Sequence, residues 1–149
     1  SEIGASFGLV QLTKLKANIF KRQQNFNLHY SFFKKFNHLF HLPIIKKNHS
    51  TGMLAFPIII KKNSKFSRKN LQIYLEKNKI QTRPIFTGNI LYHPGFKNFK
   101  YKLGSKKFYN AHLISKNGIL LGLHQGLNSQ DIHYMHKKIS SFLKINKII

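Results

Sequence analysis

The sequence predicts a globular fold in which helices are combined with a few short strands. Hydrophobic residues make up 42% of the 149 residues and include 14 Phe and 6 Tyr, which is typical of folded rather than disordered chains. Neither glycine nor proline occurs between Gly8 and Pro43, which predicts one long helix or two abutting ones. Two short apolar runs, Met53–Ile60 and Ile119–Leu123, predict buried strands. The length suits one domain or a piece of a larger one.

The long helical pattern ends before Pro43. We expect a single apolar stripe along it, at spacings of three and four residues: Leu12, Leu15, Ile19, Phe26, Tyr30 and Phe33. Three histidines, His38, His41 and His49, lie around this proline. No Cys, Asp or Glu lies near them, so we interpret them as loop histidines rather than as metal ligands.

Short elements follow the first strand. Pro57 within that strand predicts a sheet edge or a bulge, because proline cannot donate a ladder hydrogen bond. Ser67 is a favourable N-cap for a helix that continues to about Lys77. Asn78 can close this helix in the left-handed conformation.

Two further helices are predicted towards the end of the chain. Ser105 can cap a helix over residues 106–116, and Gly118 would end it. Asn128 and Asp131 have the spacing of an N-terminal cap for a last helix. That helix would bury Ile132, Met135, Ile139, Phe142 and Leu143.

The segment Lys79–Phe96 combines an arginine with turn-forming residues. Arg83 precedes Pro84, which favours extended backbone at the arginine, and Gly88-Asn89 tolerates positive φ. An arginine held on extended chain beside a turn can bind a phosphate or a carboxylate through both arms of its guanidinium. The alternative is a surface arginine beside an ordinary loop.

The next segment, Phe96–Leu103, is both basic and aromatic. Such a composition can stack nucleotide bases, but a loop that packs Phe96, Phe99 and Leu103 into the core explains it equally well, and we favour that second interpretation. We likewise expect Phe86 to anchor the preceding segment in the core.

The formal net charge of +23 raises the alternative of a basic nucleic-acid-binding module, because clustered cations neutralise phosphates. Only three of the 26 Lys and Arg residues are Arg, however, and the lysine pairs are spread along the chain. This pattern favours a general enrichment in lysine together with nonspecific binding of anionic polymers.

A self-contained active site is not expected. Glu2, Glu76 and Asp131 are the only acidic residues, and no nucleophile elbow, P-loop or dinucleotide fingerprint occurs. We therefore predict no catalytic residue and no metal site.

The chain has no cysteine. Its longest apolar run is much shorter than a membrane span, and a start without Met led us to expect a fragment.

Three stretches of the chain share a common likeness. They consist of Ser1–Ile3, Ala5, Gly8-Leu9 and Gln11-Leu12; of Ile80–Arg83, Phe86, Gly88-Asn89 and Pro94; and of Leu121–Leu123 and Gly126–Asn128. The three stretches resemble, in this order, the helix start, the T-R-x-x-F-x-G-N segment and the I-G-V-Y-P-G-L-T segment of one enzyme family. That family is the DegT/DnrJ/StrS nucleotide-sugar aminotransferases, and the resemblance is strongest to its CDP-4-dehydro-6-deoxyglucose 3-dehydratase (RfbH-type) branch.

The resemblance implies an α+β fold with a short, mainly antiparallel sheet covered by helices. It implies that residues 1–42 form a long helical segment leading from a large cofactor domain, and that residues 43–149 form a small C-terminal domain. Pyridoxal or pyridoxamine phosphate would be bound mainly by the large domain, as would any iron–sulfur cluster.

The implied function is the C-terminal portion of a nucleotide-sugar dehydratase or aminotransferase in deoxysugar and lipopolysaccharide biosynthesis, inactive without its N-terminal part. Arg83, Gly88 and Asn89 would contact the nucleotide-sugar. The complete enzyme is expected to be a cytoplasmic homodimer. A stand-alone nucleic-acid-binding module remains the alternative.

Overall fold

The computed structural model describes residues 1–86, 88–104 and 107–149. Within them the helices are α1 (Glu2–Lys34), α2 (Arg68–Lys77), α3 (Tyr109–Asn117) and α4 (Ser129–Ile145). The strands are β1 (Phe40–His41), β2 (Ala55–Ile60), β3 (Arg83–Pro84) and β4 (Gly118–Gly122). Two single 3₁₀ turns, Ile90–Tyr92 and Pro94–Phe96, lie in the connection after β3. The predicted cap Ser105 and the predicted helix start at Lys106 lie outside the described residues.

The strands form an antiparallel sheet in the order β1-β2-β4-β3. The expected α+β class and antiparallel sheet are therefore confirmed. Pro57 lies opposite Leu120 in the β2–β4 ladder. β1 pairs only with Ile59 and Ile60, so β2 has no neighbouring strand beside Pro57 on that flank, and the missing N–H of proline is tolerated there.

The hydrophobic core lies between one face of the sheet and the helices. Burial alternates along β2, with Phe56, Ile58 and Ile60 fully buried, as expected for a strand with one face on the core. Helix α4 supplies all five predicted core residues. Phe33, near the end of α1, packs its ring against Phe56 with the centroids 5.6 Å apart.

The predicted helix caps at Ser67 and at Asn128 are confirmed, and the predicted conformation of Asn78 needs a correction. The Ser67 hydroxyl accepts a hydrogen bond from the backbone of Asn70, and Asn128 forms a complete capping box with Asp131 at the start of α4. At the end of α2, however, the left-handed residue is Lys79 (φ 62°) rather than Asn78 (φ −94°). The Asn78 side chain instead donates to a carbonyl of the last turn, so it closes the helix without left-handed backbone.

Helix α1 is a single helix, but the predicted apolar stripe does not describe how it packs. Leu12 and Leu15 are exposed, whereas Phe33 is fully buried. The helix ends at Lys34, and β1 has already joined the sheet at Phe40–His41. The first half of α1 thus extends beyond the core, and only its second half packs on the sheet side of the chain. The division of the chain at residue 42 stays a prediction.

Polar side chains attach the second half of α1 to the turn that follows β4. The Arg22 Nε donates to Gln125 Oε1 over 2.9 Å. Asn25, fully buried, donates through Nδ2 to the carbonyl oxygens of His124 and Leu127. The Gln125 side chain thereby connects this turn to α1.

A buried histidine pair completes this junction. His29 donates through Nε2 to the carbonyl oxygen of Gly122 (3.1 Å), so its neutral ring accepts at Nδ1, where His136 Nε2 lies 3.0 Å away. The His136 ring stacks on Phe32 with 4.0 Å between centroids. Burial lowers the pKa of His29 to about 4, partly offset by its hydrogen bond to Gly122. Burial, His29 and nearby cations lower the pKa of His136 to about 3.

Candidate substrate-binding surface

The segment that contains Arg83 is attached to α2 through the residue before it. The Thr82 backbone N–H donates to Glu76 Oε1 (2.7 Å), and the Thr82 hydroxyl donates to the same oxygen (3.0 Å). Gln72 Nε2 donates to the Thr82 hydroxyl oxygen. Thr82 is buried, so these bonds fix the start of β3.

Arg83 lies on β3 at the edge of the sheet. Its backbone pairs opposite Leu120, which confirms the extended conformation expected before Pro84. The residue is exposed, and within the described part of the chain its guanidinium has no hydrogen-bond or ion-pair partner. An exposed, unpaired guanidinium on a fixed strand is able to bind an anion.

Gly88 and Asn89 form the turn that the sequence predicts, and both residues have structural roles there. Gly88 has φ +71°, and a Cβ at this position would lie 2.9 Å from the backbone Cα of Ser115. Only glycine fits this approach to α3. Asn89 is buried, and its Oδ1 accepts from the backbone of Leu91 (3.1 Å), which caps the first 3₁₀ turn.

Two expectations about aromatic side chains are wrong. Phe86 does not anchor the segment in the core, because 91% of its surface is exposed; the Thr82 hydrogen bonds fix the segment instead. Phe96, Phe99 and Leu103 do not pack into the core either, and all three are exposed. The core consists of side chains from the sheet, from α1, α2 and α4 and from the connections between them, and none of these three residues belongs to it.

The exposed loop encloses a cleft of about 690 Å³, here named the aromatic cleft. Its wall includes the predicted residues Gly88 and Asn89 and four rings, those of Phe96, Phe99, Tyr101 and Phe108. Arg83 does not line it. The structure therefore brings two of the three predicted substrate-binding residues into one cleft and places the third on the neighbouring strand.

A second, smaller cleft lies between α1 and the loop before β2. It has a volume of about 400 Å³ and is lined by both polar and apolar side chains, among them Gln23, Tyr30 and Met53. The Gln23 amide donates to the hydroxyl of Ser50 across it. No sequence pattern singled out this cleft.

A lysine that forms a Schiff base is normally desolvated, and no lysine of residues 1–86, 88–104 or 107–149 is buried. Over the same residues, no three His, Cys, Asp or Glu side chains come together as a metal site. Among the described helices, none combines the length and the hydrophobicity that crossing a membrane requires.

Comparison with known proteins assigns the fold. The chain is 27% identical over 146 residues to the lipopolysaccharide biosynthesis protein RfbH of Salmonella typhimurium, covering 98% of this chain and 33% of that protein. It is 32% identical over 137 residues to GDP-4-keto-6-deoxy-D-mannose 3-dehydratase of Escherichia coli O55:H7, covering 91% of this chain and 34% of the relative. The chain thus spans about a third of the length of these relatives.

Solved structures agree with this assignment. The E. coli GDP-4-keto-6-deoxy-D-mannose-3-dehydratase with bound hydrated PLP superposes with a TM-score of 0.75 at 32% identity, over 88% of this chain and 33% of that one. A putative sugar aminotransferase of Streptococcus pneumoniae in its PMP form superposes with a TM-score of 0.82 at 19% identity, over 98% of this chain and 36% of that one, and this likeness concerns the fold alone. The sequence pattern of one family matches residues 1–140, and the chain belongs to the DegT/DnrJ/EryC1/StrS aminotransferase family.

Proposed function

We propose that this chain is the C-terminal part of a pyridoxal-phosphate-dependent enzyme that acts on a nucleotide-sugar in deoxysugar or lipopolysaccharide biosynthesis. The observation that carries the proposal is the family match over residues 1–140, together with the exposed guanidinium of Arg83 on a fixed strand. Since the described residues offer no buried lysine, the cofactor would be bound by the larger, N-terminal part. So would any iron–sulfur cluster, because this chain has no cysteine.

Two reactions fit the family, amino transfer and 3-dehydration. Two relatives favour dehydration: the E. coli protein named as a 3-dehydratase is 32% identical, and a second 3-dehydratase, from Saccharopolyspora spinosa, is 27% identical over 143 residues. In either reaction the role of this chain would be to form one wall of the substrate cleft.

We further infer that the complete enzyme is a cytoplasmic homodimer. Sedimentation of the full-length protein would test its oligomeric state.

Arg83 is proposed to bind an anionic group of the nucleotide-sugar or of the cofactor. Gly88 and Asn89 would form the adjacent turn. Asn89 would also belong to the cleft wall that faces the ligand. Loss of one charge-assisted hydrogen bond in a desolvated cleft costs about 1.5–3 kcal/mol. Arg83→Ala in the full-length enzyme should therefore lower kcat/KM by roughly 10- to 150-fold, and Arg83→Lys should restore only part of it, because lysine cannot bind with two arms.

The matched control is Lys77→Ala, which removes an exposed cation at the end of α2 and should leave kcat/KM unchanged. Normal kinetics in both Arg83 variants would mean that the segment is only structural. The gene sequence upstream of Ser1 tests the whole proposal: we expect an open reading frame that encodes a large cofactor-binding domain. A start codon at that position would favour the nucleic-acid-binding module instead.

A further inference from the structure

The aromatic cleft contains more exposed aromatic surface than the fold requires. Phe99 is 64% exposed, and Phe96 and Tyr101 are exposed beside it. Each ring left in water forgoes the free energy that burial would provide. Contiguous exposed apolar patches of this kind commonly mark binding sites.

We propose that the aromatic cleft binds the nucleoside diphosphate half of the nucleotide-sugar, with the nucleobase stacked on its rings and the diphosphate beside Lys100 and Lys102. The inference rests on the proposed function and makes it more specific. It assigns the nucleotide to a loop that we had expected to pack into the core.

The arrangement of the rings suits stacking by a planar ligand. The Phe96 and Phe99 centroids are 5.6 Å apart with their planes inclined by 42°, so the two rings do not cover each other face to face. A nucleobase can therefore contact ring faces that are open to solvent. Stacking of this kind tolerates any base, because every base has a π face.

The charge of the cleft suits a diphosphate. Lys100 and Lys102 belong to its wall and are exposed, and none of the described residues that line the cleft is Asp or Glu. Lysine is an effective phosphate ligand as a compact point charge. The two lysines flank Tyr101 in sequence, so cationic and aromatic groups occur together in one short stretch.

The size of the cleft suits a nucleotide rather than a longer polymer. Its volume of about 690 Å³ is within the range of small-molecule sites, roughly 300–1,000 Å³. The buried Asn89 and the close contact between Gly88 and Ser115 fix one wall. A wall with a fixed backbone lowers the cost of ordering the site when a ligand binds.

Titration calorimetry on the purified chain tests this assignment, with GDP, CDP, inorganic diphosphate and guanosine as probes at moderate salt. We expect a nucleoside diphosphate to bind with one-to-one stoichiometry and at least tenfold more tightly than inorganic diphosphate. Phe99→Ala should weaken nucleotide binding by roughly 5- to 150-fold, the range measured for loss of one stacked base. Lys100→Gln should weaken the binding of both nucleotide and inorganic diphosphate.

Two matched variants control for general effects of the substitutions. Phe7→Ala removes an equally exposed ring from α1, and Lys69→Gln removes an exposed lysine from α2. Both should bind nucleotide as the unmodified chain does. Because the net charge of +23 attracts any anion, the decisive quantity is the difference between nucleotide and inorganic diphosphate, and Phe99→Ala should abolish it.

Several results would overturn the inference. Equal affinity for nucleotide and inorganic diphosphate would mean charge attraction alone. Unchanged binding in Phe99→Ala would place the nucleotide elsewhere. A single-stranded oligonucleotide that binds far more tightly than any nucleotide through Phe99 would assign the cleft to nucleic acid. Self-association lost in Phe99→Ala but insensitive to nucleotide would assign it to a second copy of the chain.

These failures are distinguishable from failure of the proposed function. If the upstream gene sequence encodes a cofactor domain and Arg83→Ala impairs the full-length enzyme, the proposed function stands whatever the cleft binds. If nucleotides bind in the cleft but no such domain is encoded, the cleft assignment stands and the enzyme assignment fails.

Discussion

The buried pair of His29 and His136 should make the fold sensitive to mild acid. Both rings are neutral in the folded chain, and a hydrogen bond 3.0 Å long joins them. His29 already donates to the carbonyl of Gly122, so a proton added to its other nitrogen would face the N–H of His136. Protonation of both rings would place two buried cations in contact, next to the cationic side chain of Lys35.

The expected loss of stability follows from the two pKa values. The folded pKa is lowered to about 4 for His29 and to about 3 for His136, whereas the unfolded value is about 6.5. The unfolded chain therefore binds more protons between these limits, and stability is full above pH 6.5 and falls as the pH is lowered. At pH 5, keeping one ring neutral in the folded chain lowers the free energy of unfolding by about 2 kcal/mol. For the coupled pair, the free energy of unfolding therefore falls by about 2–4 kcal/mol.

Urea unfolding at pH 7, 6 and 5 measures this loss. The chain has nine histidines but only three Asp and Glu residues, so comparing histidine variants with the unmodified chain isolates the contribution of the pair. His136→Gln keeps a donor to His29 without a titrating group and should remove about half of the pH dependence. The control His38→Gln, which replaces an exposed histidine after the end of α1, should retain it. The reasoning fails if the chain loses less than about 0.5 kcal/mol between pH 7 and pH 5, or if both variants behave alike.

Two further substitutions test the geometry around the candidate site. Thr82→Val removes the hydroxyl that links the strand to Glu76 and should lower the free energy of unfolding by about 1–3 kcal/mol. Thr82→Ser keeps the hydroxyl and should retain the stability of the unmodified chain. Urea unfolding of both variants measures the difference. Gly88→Ala places a methyl group against Ser115 at φ +71° and should cost about 2 kcal/mol or more. Thermal unfolding measures this loss. In the control Gly95→Ala the added Cβ would lie 3.8 Å from His93 Nδ1, an ordinary van der Waals distance, so Tm should stay unchanged.

The features that could be predicted from the sequence are those that short-range physics determines. Ser67, Asn128 and Asp131 cap their helices through residues three positions away, so the signal is contained in four residues. The strand at β2 likewise follows from its short continuous apolar run. The extended backbone at Arg83 follows from its neighbour, proline.

The features that could not be predicted depend on residues far apart in the sequence. His29 and His136 are separated by 107 positions, and no local pattern shows that two helices bring them together. Phe86 and Phe99 appeared to be core residues because large apolar side chains are usually buried. Whether a given ring is buried depends on the volume that the sheet and α4 leave, which only the packed structure defines.

Helix α1 has two halves with different partners, and this difference bears on the proposed function. Its second half is attached to the small domain by Arg22, Asn25 and His29, whereas its first half exposes large side chains such as Ile3 (84%) and Phe7 (68%). Thirty-three residues extend about 50 Å, more than the small core can cover. Burying such apolar side chains is worth about 1.5–3 kcal/mol each, which supports the proposal that the first half packs against a large cofactor domain. The polar junction at the other half would then set the angle at which the small domain, with Arg83 and the aromatic cleft, faces that domain.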